Sequence, residues 1–210
     1  FKVSIDAMKS RSDLVTMAVA HCSYLKEQGV VYAETRFAPS YHINPQGGLP
    51  TLYDVLECTL EGFTQGLAKT GVIVKPIICI PRENDQEFVK GNSRYPVTSV
   101  DIVKAALAYS EKGIVGIDLA CYEPLAPPDD FLSAYQLTFD TALKRTVHAG
   151  EMMGSDEANL RNIRSAVEHL RPDGLGHAIA LCKDQKLMET VAARGIRIES
   201  NPQSNLHCGF

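Results

Sequence analysis

The chain has 210 residues, 45% of them hydrophobic, which suffices for one sizeable core and by length alone allows one or two domains. A formal net charge of −4 argues against a nucleic-acid-binding surface, and the lack of any apolar run of about 18 residues argues against a membrane span. Cys22, Cys58, Cys79, Cys121, Cys182 and Cys208 form no Cys-x-x-Cys pair and mostly sit in apolar segments, which fits reduced thiols in a cytoplasmic protein better than a disulfide framework.

The opening Phe1-Lys2-Val3-Ser4-Ile5-Asp6 has no basic flank before an apolar core, so it does not read as a signal peptide. It lacks an initiator Met, and the chain is expected to begin inside a longer protein. Residues 13–28 read as a helix stopped by Gly29, and residues 30–37 as a strand ended by Pro39. Thr51 is placed to cap a helix to about residue 69, which Gly71 stops. Residues 72–80 are a second apolar strand, and the polar residues 81–96 read as a loop with room for a helical turn. Thr98 or Ser99 caps a helix to about residue 112, and residues 114–119 are the third strand. After Pro124, Pro127 and Pro128, residues 129–143 read as a helix and 145–148 as a strand. Residues 156–170 then read as a helix, 174–177 as a short strand, 184–194 as a helix and 195–200 as a sixth strand.

Near-continuous apolar strands alternating with helices predict a parallel sheet in an α/β protein, covered on both faces. A doubly wound open sheet and a (β/α)8 TIM-type barrel both fit. Glu34, Arg36, Asp118, His148, His177, Ser200 and Asn201 collect at the C-terminal ends of strands, where a barrel carries its chemistry. No Gly-x-Gly-x-x-Gly or Walker loop follows the first strand, which counts against a nucleotide-binding doubly wound fold.

The stretch Thr146-Val147-His148-Ala149-Gly150-Glu151 ends a strand in an imidazole and puts a carboxylate three residues later. A neutral imidazole binds a borderline metal, a nearby carboxylate moves protons, and a glycine lets backbone approach a ligand. The alternative is a strand that happens to end in His beside a helix that starts near Glu. His177, ending the next strand, is either a second site imidazole or a buried, hydrogen-bonded structural one. Glu34 and Arg36 share one strand face and read as a structural ion pair, with each other or with neighbours. Asp118 either orients a catalytic group or is structural. His21, His42, His169 and His207 have no matching partners and read as ordinary residues. Ser200, Asn201, Ser204 and Asn205 read as loop caps that could also touch substrate.

In these residues the chain resembles the adenosine deaminase family. The resemblance is carried by Val30-Val31-Tyr32-Ala33-Glu34-Thr35-Arg36-Phe37-Ala38-Pro39, Gly116-Ile117-Asp118-Leu119-Ala120, the His148-Ala149-Gly150-Glu151 core, Leu175-Gly176-His177 and Asn201-Pro202-Gln203-Ser204-Asn205, in the family's order over essentially the whole chain. It implies a zinc-dependent (β/α)8 barrel that hydrolyses the 6-amino group of adenosine or deoxyadenosine, small-molecule substrates. It implies that His148 is a zinc ligand. Glu151 would protonate purine N1 and shuttle the water's proton, and His177 would hold and polarise the attacking hydroxide. Gly150 and Cys121 would line the substrate. Deaminases of nucleic-acid bases use a Pro-Cys-x-x-Cys signature, which is absent.

Two departures qualify the resemblance. Cys121, in Asp118-Leu119-Ala120-Cys121-Tyr122-Glu123, stands where the family's glycine brings backbone close to the purine. The family's first-strand His-x-His pair and last-strand aspartates are also missing. The six strands then correspond to strands two through seven, and residues 1–210 to the central part of a single barrel domain. The remaining zinc ligands and the missing barrel strands are expected outside this segment, so the segment alone is expected to be inactive. Adenine, AMP or an N6-substituted nucleotide remains an alternative substrate, although Arg36, Lys75 and Arg82 form no convincing phosphate cluster. A non-catalytic, deaminase-like binding protein and an unrelated hydrolase of the same barrel superfamily are further alternatives.

Overall fold

A computed structural model describes residues 2–151 and 154–208. Helices α1 (Lys2–Asp6) and α2 (Arg11–Glu27) precede strand β1 (Tyr32–Phe37). Helix α3 (Leu52–Thr70) leads into β2 (Ile73–Pro81), and α4 (Asn84–Val89) and α5 (Ser99–Ala108) into β3 (Gly116–Ala120). Then come α6 (Leu132–Gln136), β4 (Lys144–Ala149), α7 (Asp156–Ser165), β5 (Gly174–His177), α8 (Gln185–Ala193), β6 (Arg197–Glu199) and α9 (Pro202–Cys208). No helix among the described residues is long and apolar enough to cross a membrane.

All six strands are parallel and lie side by side in chain order, β1 to β6. A doubly wound sheet reverses direction part-way; this one adds every strand on the same side, as a barrel does. The sheet also curls. Arg36 on β1 forms an ion pair with Glu199 on β6. In a flat sheet five strand spacings would separate them by about 24 Å, beyond any side-chain reach. The architecture is therefore an incomplete TIM-type barrel of six strands, with β1 and β6 each paired on one side among the described residues.

The two faces of this sheet differ in kind. Outward residues Ile78, Ile80, Ile117, Leu119, Val147 and Leu175 are fully buried under the helices, in one apolar cluster with Ile102, Val103 and Phe131. The inward face carries a polar set, Arg36, Asp118, Thr146, His148 and Glu199, with Ile77 and Cys79 of β2 beside it. Strand alternation puts every second side chain on each face. The helices that cover the outer face start at strong signals. Ser10 with Asp13, Thr51 with Asp54 and Thr98 with Asp101 each form a reciprocal capping box.

Three expectations need correction. Residues 129–143 do not make one helix: a 3-10 turn at Pro128–Phe131 and the short α6 replace it. The Thr138 and Thr141 hydroxyls bond back to the carbonyls of Tyr135 and Thr138, and Arg145 also takes the Thr138 carbonyl at 3.1 Å, so helical pairing stops there. Residues 201–205 belong largely to a helix, α9, which opens on Pro202, a residue whose fixed φ suits a first helical position. The sixth strand is confined to Arg197–Glu199.

Candidate active site

His148 is the inward residue near the end of β4, opposite Gly176 on β5. A Cβ at Gly176 would lie 3.2 Å from the imidazole, so the missing side chain leaves room for the ring. His148 Nδ1 donates to Asp118 Oδ1 at 3.0 Å. Asp118 is fully buried, and its other oxygen faces Arg36 Nε at 3.4 Å. Burial works against a charged His148 ring, but the charge and hydrogen bond of Asp118 outweigh it and raise the ring's pKa above the ordinary histidine value. Glu199 closes the network by binding Arg36, Arg197 and the Thr146 hydroxyl. Burial pushes the Glu199 carboxyl up, yet these partners hold it below the usual glutamate range.

His177 ends β5 beside it, with the two rings 5.2 Å apart between centroids and tilted by 49°. His177 Nε2 lies 3.5 Å from Glu151 Oε1, and its Nδ1 donates to Asn205 Oδ1 of α9 at 2.6 Å. Both His177 and Glu151 are 8% exposed. The chain thus brings His148, Glu151 and His177 into one cluster at the C-terminal ends of β4 and β5.

The loop that delivers Glu151 is held by Glu123, which is 1% exposed. Its carboxylate accepts the backbone N–H of Gly150 at 2.7 Å, the N–H of Glu151 at 2.8 Å and the Asn162 amide of α7 at 3.0 Å. Gly150 has φ +77°, and a Cβ there would come within 2.6 Å of Ile163, so the turn needs glycine on both counts. Arg82 is fully buried and donates to the carbonyls of His148, at 2.6 Å, and Ala126. It braces the strand end and is not free to take a phosphate.

Cys121 follows β3 with φ +75°, a left-handed conformation that suits glycine. Its thiol lies 3.4 Å from the Tyr41 hydroxyl, which also donates to Glu83. Tyr95 packs edge-on against the Tyr41 ring at 6.1 Å. Cys121 is exposed as a residue, but protein packed against its thiol desolvates it and lifts it to about 11, so it is a poor nucleophile at neutral pH.

The adenosine deaminase family matches residues 1–210. The chain belongs to that family. It is 30% identical over 206 residues to an adenosine deaminase of Clostridium acetobutylicum, covering 98% of this chain and 56% of that protein. It is 31% identical over an alignment of 224 residues to adenosine deaminase 1 of Streptomyces coelicolor, covering 100% of this chain and 52% of that protein. Among solved structures, an amidohydrolase from Burkhoderia ambifaria with bound Zn superposes with a TM-score of 0.77 at 24% identity, over 94% of this chain and 50% of that one. The chain spans about half the length of the curated relatives it matches.

Against the adenosine deaminase family's chemistry, His148 fits one zinc ligand. Its Nδ1 is anchored on a carboxylate, as in many metal-binding histidines, so Nε2 would be the nitrogen to take a metal. Among the described residues no group of three or more His, Cys, Asp and Glu is arranged to hold a metal.

Arg36 pairs with Asp118 and Glu199, while Glu34 accepts the Tyr32 hydroxyl at 3.0 Å. His21 meets Thr35 at 2.9 Å, and His42 meets the Met8 carbonyl at 3.2 Å, both away from the pocket residues. Sequence reasoning assigned no role to Glu123 or Asn162 and weighed Arg82 only as a phosphate ligand. The available signal was Glu123 itself, a carboxylate just past the end of β3.

Proposed function

We propose that the parent protein hydrolyses the 6-amino group of adenosine or deoxyadenosine, releasing ammonia and leaving oxygen on C6. The observation that carries this reading is the Glu151–His177 contact at 3.5 Å beside an imidazole, His148, oriented by Asp118. Family membership and the zinc in the Burkhoderia protein support it. His148 would hold zinc through Nε2, and the metal, when bound, lets water ionise near neutral pH. Glu151 gives a proton to purine N1, which draws ring electrons onto nitrogen as the water oxygen adds to C6. It takes the water's proton in return and passes one to the departing amino group. His177 Nε2 accepts a hydrogen bond from the attacking water and aims it. Gly150 and Cys121 flank the base.

The test is ammonia release by the full-length parent on adenosine, deoxyadenosine, adenine, AMP and N6-methyl-AMP. Adenosine and deoxyadenosine should be turned over, and Glu151→Gln should lower kcat by about 10²-fold or more. A preference for AMP or adenine would replace the substrate assignment; no ammonia from any purine would sink the reading. The 210-residue chain alone should bind zinc weakly and turn over nothing, because catalytic zinc takes about three protein ligands. Stoichiometric zinc surviving dialysis would contradict that.

A further inference from the structure

We propose that Asn205 is a positioning residue that fixes the tautomer of His177, forcing its proton onto Nδ1 and leaving a bare Nε2 facing Glu151. The inference deepens the deaminase reading of the same site, but its structural half stands on this chain alone. An amide oxygen can only accept a hydrogen bond. With Asn205 Oδ1 at 2.6 Å, a singly protonated His177 ring carries its proton on Nδ1, and Nε2, 3.5 Å from Glu151 Oε1, is left as the acceptor. That is the opposite of the tautomer an exposed histidine prefers in water, so something in the fold has to impose it.

The backbone is arranged for this as well. His177 has φ +65° and Ala178 φ +48°, two successive left-handed residues without glycine's freedom. Such strain persists only where surrounding structure over-determines it. Here the Ala178 N–H donates to the carbonyls of Ala149 at 3.0 Å and Gly176 at 2.9 Å, clamping the turn between β4 and β5. The clamp points one ring edge at α9 and the other at Glu151, with the ring side chain 4% exposed. His148 has the same proton placement, imposed by Asp118. Both imidazoles thus have Nδ1 committed to an anchor and Nε2 outside that bond. One is held by a carboxylate and the other by a neutral amide. An amide selects the tautomer without adding a negative charge next to a group that must receive a water hydrogen.

The experiment uses the 210-residue chain labelled with 15N-histidine. Correlations between ring nitrogens and ring C–H groups report which nitrogen of each histidine is protonated, and His177→Gln identifies the His177 signals by their loss. The expected result is a protonated Nδ1 and a bare Nε2 in the parent sequence. Asn205→Ala should move the proton wholly or mostly to Nε2. Asn205→Asp, which keeps an acceptor in place, should restore it to Nδ1. A protonated Nε2 in the parent sequence overturns the assignment. An Asn205→Ala chain with a native amide spectrum and an unmoved Nδ1 proton overturns it too. In the full-length parent, Asn205→Ala should lower kcat by about 10–100-fold with KM within about threefold, and Asn205→Asp should recover only part of it, because its charge favours a doubly protonated ring. Unchanged kcat in Asn205→Ala overturns the positioning role. A full-length parent inactive on every purine is a failure of the deaminase reading, and the nitrogen spectra then decide the tautomer by themselves.

Discussion

The outer and inner faces of the same six strands obey different rules. Outside, Ile78, Ile80, Ile117, Leu119, Val147 and Leu175 face helices and contribute by area, about 2–3 kcal/mol for each fully buried side chain. Inside, Arg36, Asp118, Thr146, His148 and Glu199 form one connected polar network. Buried ion pairs add little net stability over apolar side chains of similar volume, but removing one partner costs about 3–5 kcal/mol. The outer face therefore accounts for folding. The inner face is better explained by what it holds still, an imidazole with one nitrogen committed and the other available.

Four substitutions break or sharpen that contrast. The largest effect is expected at the pocket rim. Glu123→Ala leaves the N–H groups of Gly150 and Glu151 and the Asn162 amide without their carboxylate acceptor. Urea denaturation should show a loss of about 3–5 kcal/mol; a loss below about 1 kcal/mol would mean polar contacts at this end are not under the stated constraint.

Next comes Glu199→Gln, with a loss of about 1–3 kcal/mol at neutral pH from weakened bonds to Arg36, Arg197 and Thr146. Its carboxyl is held below its ordinary value in the folded chain, so its stabilisation is complete above the unfolded pKa of about 4.3 and drains away as pH falls through the lower folded one. The parent chain should lose stability over that acid range more steeply than Glu199→Gln. Parallel stability–pH curves for the two would refute the coupling.

On the outer face, Ile78→Val removes one buried methylene and should cost about 0.5–1.5 kcal/mol, independent of pH between 4 and 8 within about 0.3 kcal/mol. A pH-dependent effect there would show that the faces are not separable. The smallest effect is expected for Cys121→Gly. Relief of a left-handed backbone at φ +75° is worth about 1 kcal/mol and is partly offset by glycine's greater unfolded freedom and the lost Tyr41 contact. Thermal unfolding should register a change within about 1 kcal/mol of zero. A large loss would mean the thiol contributes more than its geometry indicates.

Much of this was legible in the sequence because it is local. Thr51 with Asp54 and Thr98 with Asp101 announce their helices within four residues, and the apolar run of β2 announces a buried strand. His148, Glu151 and His177 could be picked out because strand ends are visible and adjacent strands in a barrel are neighbours. Glu123 could not be assigned, since its partners at Gly150, Glu151 and Asn162 lie 27, 28 and 39 residues away. Nor could Arg82 be told from a surface phosphate ligand, because its bonds go to carbonyls at Ala126 and His148 and carry no side-chain signature. The missed helix ending after Gln136 turned on threonine hydroxyls and on Arg145, competitors that periodicity does not register.

The Tyr41 hydroxyl joins segments that follow β1, β2 and β3, since Tyr41, Glu83 and Cys121 each come after a different strand. That knot makes one flank of the mouth a single inheritance unit. Grafting any one of these loops from a relative would strand the other two, so altering what the site admits from this side calls for exchanging all three together.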